Sequence, residues 1–268
     1  MIAAYRLRER LVGFEFFLWL VMVKAAGATE IVLDPSNPKT KNLWRPGSVA
    51  EKFSSVVVPG AALAGLPHRI DQHEGGLNAT PNQIVAWSRA GNTFDRMTSV
   101  KPPAKCDYTV TLRKNRDGAV NRNSNEEAWR TFAKEIGAVV IEDYCDKPIH
   151  LHDRFALYAG AKMNFGVCNG PIFLISLTPY PVMQFVNSES ARNAEARWEV
   201  FPGQKYPWML PHQNLIWEED TLDNLRRNFD ALQLDAEPAE LGRLSRKPYR
   251  QLRDSISEGG FETRRGKR

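Results

Sequence analysis

The sequence predicts an α/β fold: two Rossmann-like layered lobes of unequal size, the N-terminal one short, followed by a basic C-terminal tail. Three observations carry this. From residue 108 onward, short β-branched runs alternate with helix-length segments. Near the N-terminus an apolar stretch closes at Gly27, and the strand-like run Glu30-Ile-Val-Leu-Asp34 follows at once, which is the helix-to-strand joint of a layered domain. The composition is that of a globular protein, with 268 residues, 43% hydrophobic and 25% charged, and 18 Gly and 17 Pro. It excludes collagen, coiled coil and wholesale disorder. The expected divisions are a first lobe over 1–103, a second over 104–235 and a tail over 236–268.

The elements follow in order. Residues 5–28 admit two readings, a targeting segment or a buried amphipathic helix running to about Ala26. Glu15 interrupts the apolar run and Lys24 ends it. The clean part, Phe16 to Val23, is eight residues long, well short of the roughly 20 that span a bilayer. The helix is the preferred reading. A Pro/Asn/Lys-rich loop fills 35–47, and Ser54 to Pro59 reads as a short buried strand. Residues 60–107 are mixed, broken at Gly75-Gly76 and Pro102-Pro103, with one helix near Asn82 to Ala90.

Then the pattern sharpens. Tyr108 to Arg113 is a strand by alternation and β-branching. After a polar loop, a helix over 126–136 starts at an Asn/Ser cap and closes at Gly137. Ala138 to Ile141 is the next strand, Arg154 to Lys162 a helix, and Met163 to Val167 a strand. Asn169-Gly170-Pro171 opens an apolar helix over 172–177, and Pro181 to Val186 is again a strand. A last helix reaches about Leu232. Residues 108–186 therefore read β-α-β-α-β-α-β, a parallel sheet with crossover helices.

Charge narrows the function. The chain carries 36 Lys/Arg and 31 Asp/Glu, a net +5. Residues 240–268 hold nine Lys/Arg against four Asp/Glu, so the whole excess belongs to the tail. A neutral body excludes a surface wrapped in positive charge for duplex nucleic acid, and no specific nucleic-acid partner is expected. The tail, ending Arg264-Arg265-Gly-Lys267-Arg268, reads as a solvated end, with weak contact to anionic membrane as its alternative. Cys106, Cys145 and Cys168 include no CxxC pair. That argues against a zinc knuckle or redox dithiol and for a reducing compartment. The expected location is cytoplasmic or membrane-peripheral, with no cofactor and no metal.

Ligands of open parallel sheets bind outside the carboxyl ends of the strands, and four clusters fall there. Arg113, Lys114 and Arg116 follow the 108–112 strand and suit phosphate or carboxylate, or else form a solvated loop. Asn121-Arg122-Asn123-Ser124-Asn125 precedes a helix. Ser124 or Asn125 there caps the helix, and Arg122 or Asn123 remains able to touch an anion. Glu142-Asp143 ends a strand, and paired carboxylates there serve as base, ribose-hydroxyl acceptor, metal site or plain cap. The run Asn164-Phe-Gly166-Val-Cys168-Asn169-Gly170-Pro171 is a strand, a turn and a helix start. Gly170 permits close backbone approach and Pro171 suits a first helical turn. The run is neither GxxxxGK[ST] nor GxGxxG.

On these residues, together with Ala159 to Gly166, Thr178 to Val182 and Trp217 to Leu222, residues 108–230 resemble the C-terminal lobe of GT-B-type glycosyltransferases, the class that includes heptosyltransferases. The resemblance implies metal-independent transfer of a sugar from a nucleotide-diphosphate sugar to a hydroxyl on a glycan or small-molecule acceptor, in surface polysaccharide or glycan synthesis. Arg113, Glu142 and Asp143 would form the catalytic set. Lys114, Arg122, Asn123, Asn164, Gly166, Asn169, Gly170 and Pro171 would line the donor site, with backbone N–H groups from Asn169 to Ile172 on the pyrophosphate. The first lobe is shorter than the family's acceptor lobe, and His68, Asp71 and His73 are its candidate bases. The alternatives are a nucleotide-sugar epimerase or hydrolase, and a non-catalytic sugar- or nucleotide-binding module.

Other residues take plainer readings. His150 and His152 are a surface pair, with a metal as the alternative. Trp198, Tyr206, Trp208 and Trp217 either wall a stacking site or cover the sheet edge. Gln213 and Asn214 are candidate hydrogen-bonders, and Cys168 is a small packing residue or a reactive thiol.

Overall fold

A computed structural model describes residues 2–6, 15–34, 53–71, 81–114, 120–142 and 149–234. It is a layered α/β, Rossmann-like fold with two parallel sheets. The first sheet holds β1 (Ile2–Arg6), β2 (Glu30–Asp34) and β3 (His68–Ile70) in that order. The second holds β4 (Tyr108–Leu112), β5 (Val139–Glu142), β6 (Met163–Val167), β7 (Val182–Phe185) and β8 (Gln213–Ile216). Its order is β5-β4-β6-β7-β8, and every pairing is parallel. The helices are α1 (Glu15–Ala25), α2 (Val58–Leu63), α3 (Pro81–Arg89), α4 (Glu126–Ile136), α5 (Leu151–Gly160), α6 (Gly170–Ile175), α7 (Glu189–Ala196) and α8 (Leu222–Leu234).

Local chemistry explains the clearest elements. The Asn125 side chain accepts from Ala128 N at 3.3 Å and caps α4. Gly137 ends the helix at φ 67, a left-handed conformation that glycine adopts without strain. Glu126 and Glu127 in the first turn suit the positive end of the helix dipole. The buried stripe Ala128, Trp129, Phe132 and Ala133 lies on one side of α4. It packs with Leu225 of α8 on Val110, Leu112, Phe165, Val167, Met183 and Phe185, which is one face of the second sheet.

The other face meets α5 and α6 through Phe155, Tyr158, Ile172 and Ile175. That cluster continues into Phe16, Trp19 and Leu20 of α1 and Ile31 and Leu33 of β2. Among the described residues, no helix is long and apolar enough to cross a membrane.

Several expectations need correction. The apolar N-terminal segment is a buried helix, but it is not amphipathic. Phe16 through Val21 are all buried, and apolar residues ring α1 because it is surrounded by core. Lys24 at its end donates to Ala64 O at 2.8 Å. The run expected as a strand at Ser54 to Pro59 is a π-turn over Phe53–Val57 leading into α2. Pro59 sits in the first turn of α2, where its missing N–H costs nothing. At Gly60 a Cβ would come within 2.7 Å of the Phe17 ring, so the helix packs on α1 only through a glycine. β1, β3, α7 and β8 went unrecognised because each carries few apolar residues in a clear period. The loop at 35–47 and the tail at 236–268 lie outside the described residues.

Candidate functional site

The chain leaves β4 for β5 on one side of the second sheet and returns to β6 on the other. The loops after β4 and β6 therefore diverge, and in open parallel sheets such a switch point is where ligands bind. Arg113 directly follows β4. Its N–H donates to Ser124 Oγ at 2.9 Å, and its carbonyl accepts from Ser124 N at 3.0 Å. This folds the 120–125 segment back over the strand end. Arg122, on the short 3₁₀ turn Val120–Arg122, then reaches across, and its Nη2 donates to Cys168 O at 3.3 Å.

Asp220 fastens the same edge from beyond β8. Its Oδ2 accepts from Asn125 N and Trp129 Nε1, both at 2.7 Å, and its Oδ1 accepts from Asn187 Nδ2 at 3.1 Å. Asn187 also donates to Asn123 O at 2.9 Å. The structure thus brings Arg113, Arg122, Asn123 and the Cys168-Asn169-Gly170 turn to one edge.

Other expected site residues stand elsewhere or have other work. Lys114 Nζ pairs with Glu126 at 2.9 Å and Glu142 at 3.7 Å, and Arg130 pairs with the same two carboxylates. Lys114 and Glu142 therefore belong to an ion-pair network on the β5 side. Hydrogen bonds from Lys114 and then Arg130 hold the Glu126 carboxyl below its ordinary range.

Asn164 is the second residue of β6, about 13 Å of strand from Cys168. Its Oδ1 accepts from Thr109 Oγ1 at 2.6 Å, and its Nδ2 donates to Tyr158 O and Pro181 O. It is a buried joint of the sheet rather than a ligand contact. At Gly166 a Cβ would lie 2.6 Å from Ile172 Cγ1 and 2.8 Å from Thr111 O, so this glycine serves helix–sheet packing.

The α6 turn offers little backbone to an anion. Asn169 Oδ1 already accepts from Ile172 N at 2.9 Å, Asn169 O takes Phe173 N at 2.9 Å, and Pro171 has no N–H. Of the expected cradle of amides from Asn169 to Ile172, Ile172 N is thus already taken and Pro171 has none to offer. A Cβ on Gly170 would meet nothing within 4 Å. Asp143, Arg116, His73 and Cys145 lie outside the described residues.

A buried polar group lies beside Cys168, and sequence reading singled out only Tyr206 of its members Tyr206, Glu195 and Gln184. Tyr206 Oη donates to Glu195 Oε2 at 2.5 Å, and Cys168 Sγ donates to Gln184 Oε1 at 3.8 Å. Burial pushes the Cys168 thiol well up, with Glu195 adding to the shift and Arg122 opposing it, so the thiol is inert rather than nucleophilic. Burial likewise raises Glu195, against the opposing effects of the Tyr206 hydroxyl and the Arg122 charge.

A carboxyl raised on folding stabilises fully below its unfolded value, near 4.3. That contribution is lost as pH rises through the folded value. Glu195→Gln is therefore expected to flatten the fall in stability above about pH 4.3, measured by urea denaturation at several pH values. An unchanged slope would assign it to another group.

The aromatic residues pack inward. Trp198, Tyr206 and Trp208 surround Phe173, with Tyr206 and Trp208 stacked at 5.1 Å, so they cover the sheet rather than wall an open site. Trp217 Nε1 donates to Gln204 O. Gln213 Nε2 donates to the carbonyls of Ile175, Thr178 and Tyr180, and Asn214 accepts from Lys205. His150 caps α5 through its Nδ1, and His152 Nε2 contacts Pro59 O at 3.1 Å. His68 is exposed, and Asp71 pairs with Arg69. A shallow depression lined by Pro103 to Asp107, Ala159 and Gly160 lies at the amino end of the second sheet, away from this edge. Among the described residues, no group of three or more His, Cys, Asp or Glu is placed to hold a metal.

Asp220 could have been found by one signal. It closely follows β8, an element whose only strong strand markers are Leu215 and Ile216. Comparison with protein-family models, with curated proteins and with solved structures gave no match.

Proposed function

We propose that the chain binds a nucleotide-diphosphate sugar over the β4–β6 edge and transfers the sugar to an acceptor hydroxyl. The observation that carries this reading is the Arg122 guanidinium, held over Cys168 O at the switch point of the sheet. Among the described residues Arg122 makes no ion pair, so an arriving phosphate would supply its counter-charge. Arg113 stands at the end of the adjoining strand. Guanidinium groups match phosphate oxygens bidentately.

As the sugar leaves, negative charge gathers on the nucleoside diphosphate. Cations fixed in place beforehand lower the barrier to that step without reorganising. The folded-back 120–125 segment fixes Arg122 in this way.

A second reading, a non-catalytic nucleotide-binding module, has one observation in its favour. Asp220 and Glu195, carboxyls near this edge, are both buried and hydrogen-bonded within the protein, and neither is posed to take an acceptor proton.

Thermal shift with UDP, GDP and ADP tests binding. Saturation at 100 times the dissociation constant stabilises by about 2.7 kcal/mol. Arg122→Ala should weaken the best of the three at least ~10-fold, which is about 1.4 kcal/mol. No shift with any nucleotide at millimolar concentration would sink the proposal. Release of nucleoside diphosphate from nucleotide sugars, with and without glycan acceptors, separates the transferase from the module, which would bind and release nothing.

A further inference from the structure

Arg122 Nε and Gln184 Nε2 are buried donors that make no hydrogen bond among the described residues. Both side chains touch Cys168 from different sides, Arg122 at its carbonyl and Gln184 at its thiol. Gln184 lies on β7 and is 0% exposed. A buried donor without an acceptor is unfavourable, and native folds rarely keep one without a reason. The contacts to Cys168 run through Arg122 Nη2 and Gln184 Oε1, which leaves an orphan donor on each of two side chains held to the same residue, an arrangement suited to an acceptor with more than one oxygen.

We infer that Gln184 is a ligand-positioning residue, its Nε2 donating beside Arg122 to an oxygen of the bound pyrophosphate. This rests on the proposed nucleotide site and extends it from the β4–β6 edge to β7.

The titratable groups that interact with Arg122 in this cluster are Cys168 and Glu195, with Tyr206 bonded to Glu195, and burial raises all three, so the counter-charge they offer Arg122 is weakened. On the β5 side, Lys114 is paired with Glu126 and Glu142. The side of the strand ends left to attract an anion is therefore the β6–β7 side. Arg122 Nη2 keeps its bond to Cys168 O, and its Nε is the donor left for the ligand.

The sequence signal was weak. Gln184 is a polar residue within Pro181 to Val186, and a polar residue at the centre of a fully buried strand is out of place unless something pairs with it.

The test is Gln184→Met, which keeps length and removes the donor, with calorimetric titration of inorganic pyrophosphate and UDP. Without ligand, the variant should melt at or above the wild-type temperature, because a buried donor without an acceptor is removed at the cost of only the long 3.8 Å thiol contact to Oε1. Pyrophosphate affinity should fall at least ~10-fold, while Arg122→Ala abolishes it. A lower melting temperature with unchanged affinity would show that Nε2 holds a structural water, and the inference fails. Unchanged affinity in Gln184→Met alongside loss in Arg122→Ala would overturn the role of Gln184 and leave the nucleotide site standing. Absence of binding in the wild type would remove the site itself. Should Gln184→Met not fold, Gln184→Asn draws the donor back by one methylene and gives the same comparison.

Discussion

Gly160→Ala is expected to destabilise the protein by about 3 kcal/mol or more, at the upper end of what overpacking a core does. Gly160 is the last residue of α5, and a Cβ built on it would lie 1.8 Å from Ala104 O and 2.9 Å from Ala104 C. The obstacle is backbone, which cannot rotate out of the way. The obstructing segment is itself held, since Ala104 N donates to Ala156 O at 2.8 Å and Lys162 N donates to Asp107 O at 2.7 Å. Either the approach to β4 lifts off α5 or the end of α5 unwinds.

Gly170→Ala is the control. Its Cβ would point into open space, and surface changes of that kind stay within about 0.5 kcal/mol. Urea denaturation of both variants checks the pair. Equal midpoints would mean that the 101–107 segment does not lie against α5 as described.

Much of the second sheet was legible in the residues, and the reason is local. β4, β6 and β7 are short and nearly all buried, and α4 has its own cap, stripe and terminating glycine. Each of these signals is complete within one element. The first sheet was less legible because its decisive contacts are long-range. β1 earns its place only by pairing in register with β2, Ile2 opposite Glu30. The Ser54 to Pro59 run has β-branched residues enough for a strand. It coils instead, because Gly60 and Ala61 pack on α1 and tertiary contact outweighs so weak a preference.

The candidate site divides the same way. Arg113 could be placed at a strand end, and Arg122 just before a helix start, by counting. That Lys114 and Glu142 neutralise one another through Glu126 and Arg130 could not, since the four residues come from three elements. Asn164 looked like part of a ligand turn because it is polar and close in sequence to Cys168. In a strand, however, four residues amount to about 13 Å, and that distance carries it to the other end of the sheet.

Asp220→Ala is expected to be the most damaging change at the carboxyl edge, for stability and for ligand binding together. The carboxylate is buried and serves three donors from three separate places: Asn125 N at the start of α4, Trp129 Nε1 one turn on, and Asn187 Nδ2 after β7. At roughly 1 kcal/mol or more for each buried donor left without an acceptor, the loss is about 3 kcal/mol. Asp220→Asn separates the roles of the two oxygens. An asparagine can keep its oxygen at the Oδ2 position, where it still accepts from Asn125 and Trp129. Its amide then faces the Asn187 amide, donor against donor, and that contact is lost. The asparagine variant should therefore lose about a third of what alanine loses, or roughly 1 kcal/mol. Asn187 would also be loosened from Asn123 O, to which it donates at 2.9 Å, and the 120–125 segment that carries Arg122 would lose one of its anchors. Nucleotide affinity in Asp220→Asn should fall further than so small a loss of stability implies, since Arg122 would no longer be held in advance over Cys168. Parallel denaturation and nucleotide titration decide it: a variant that loses stability and keeps full affinity would show that this tether supports the fold alone.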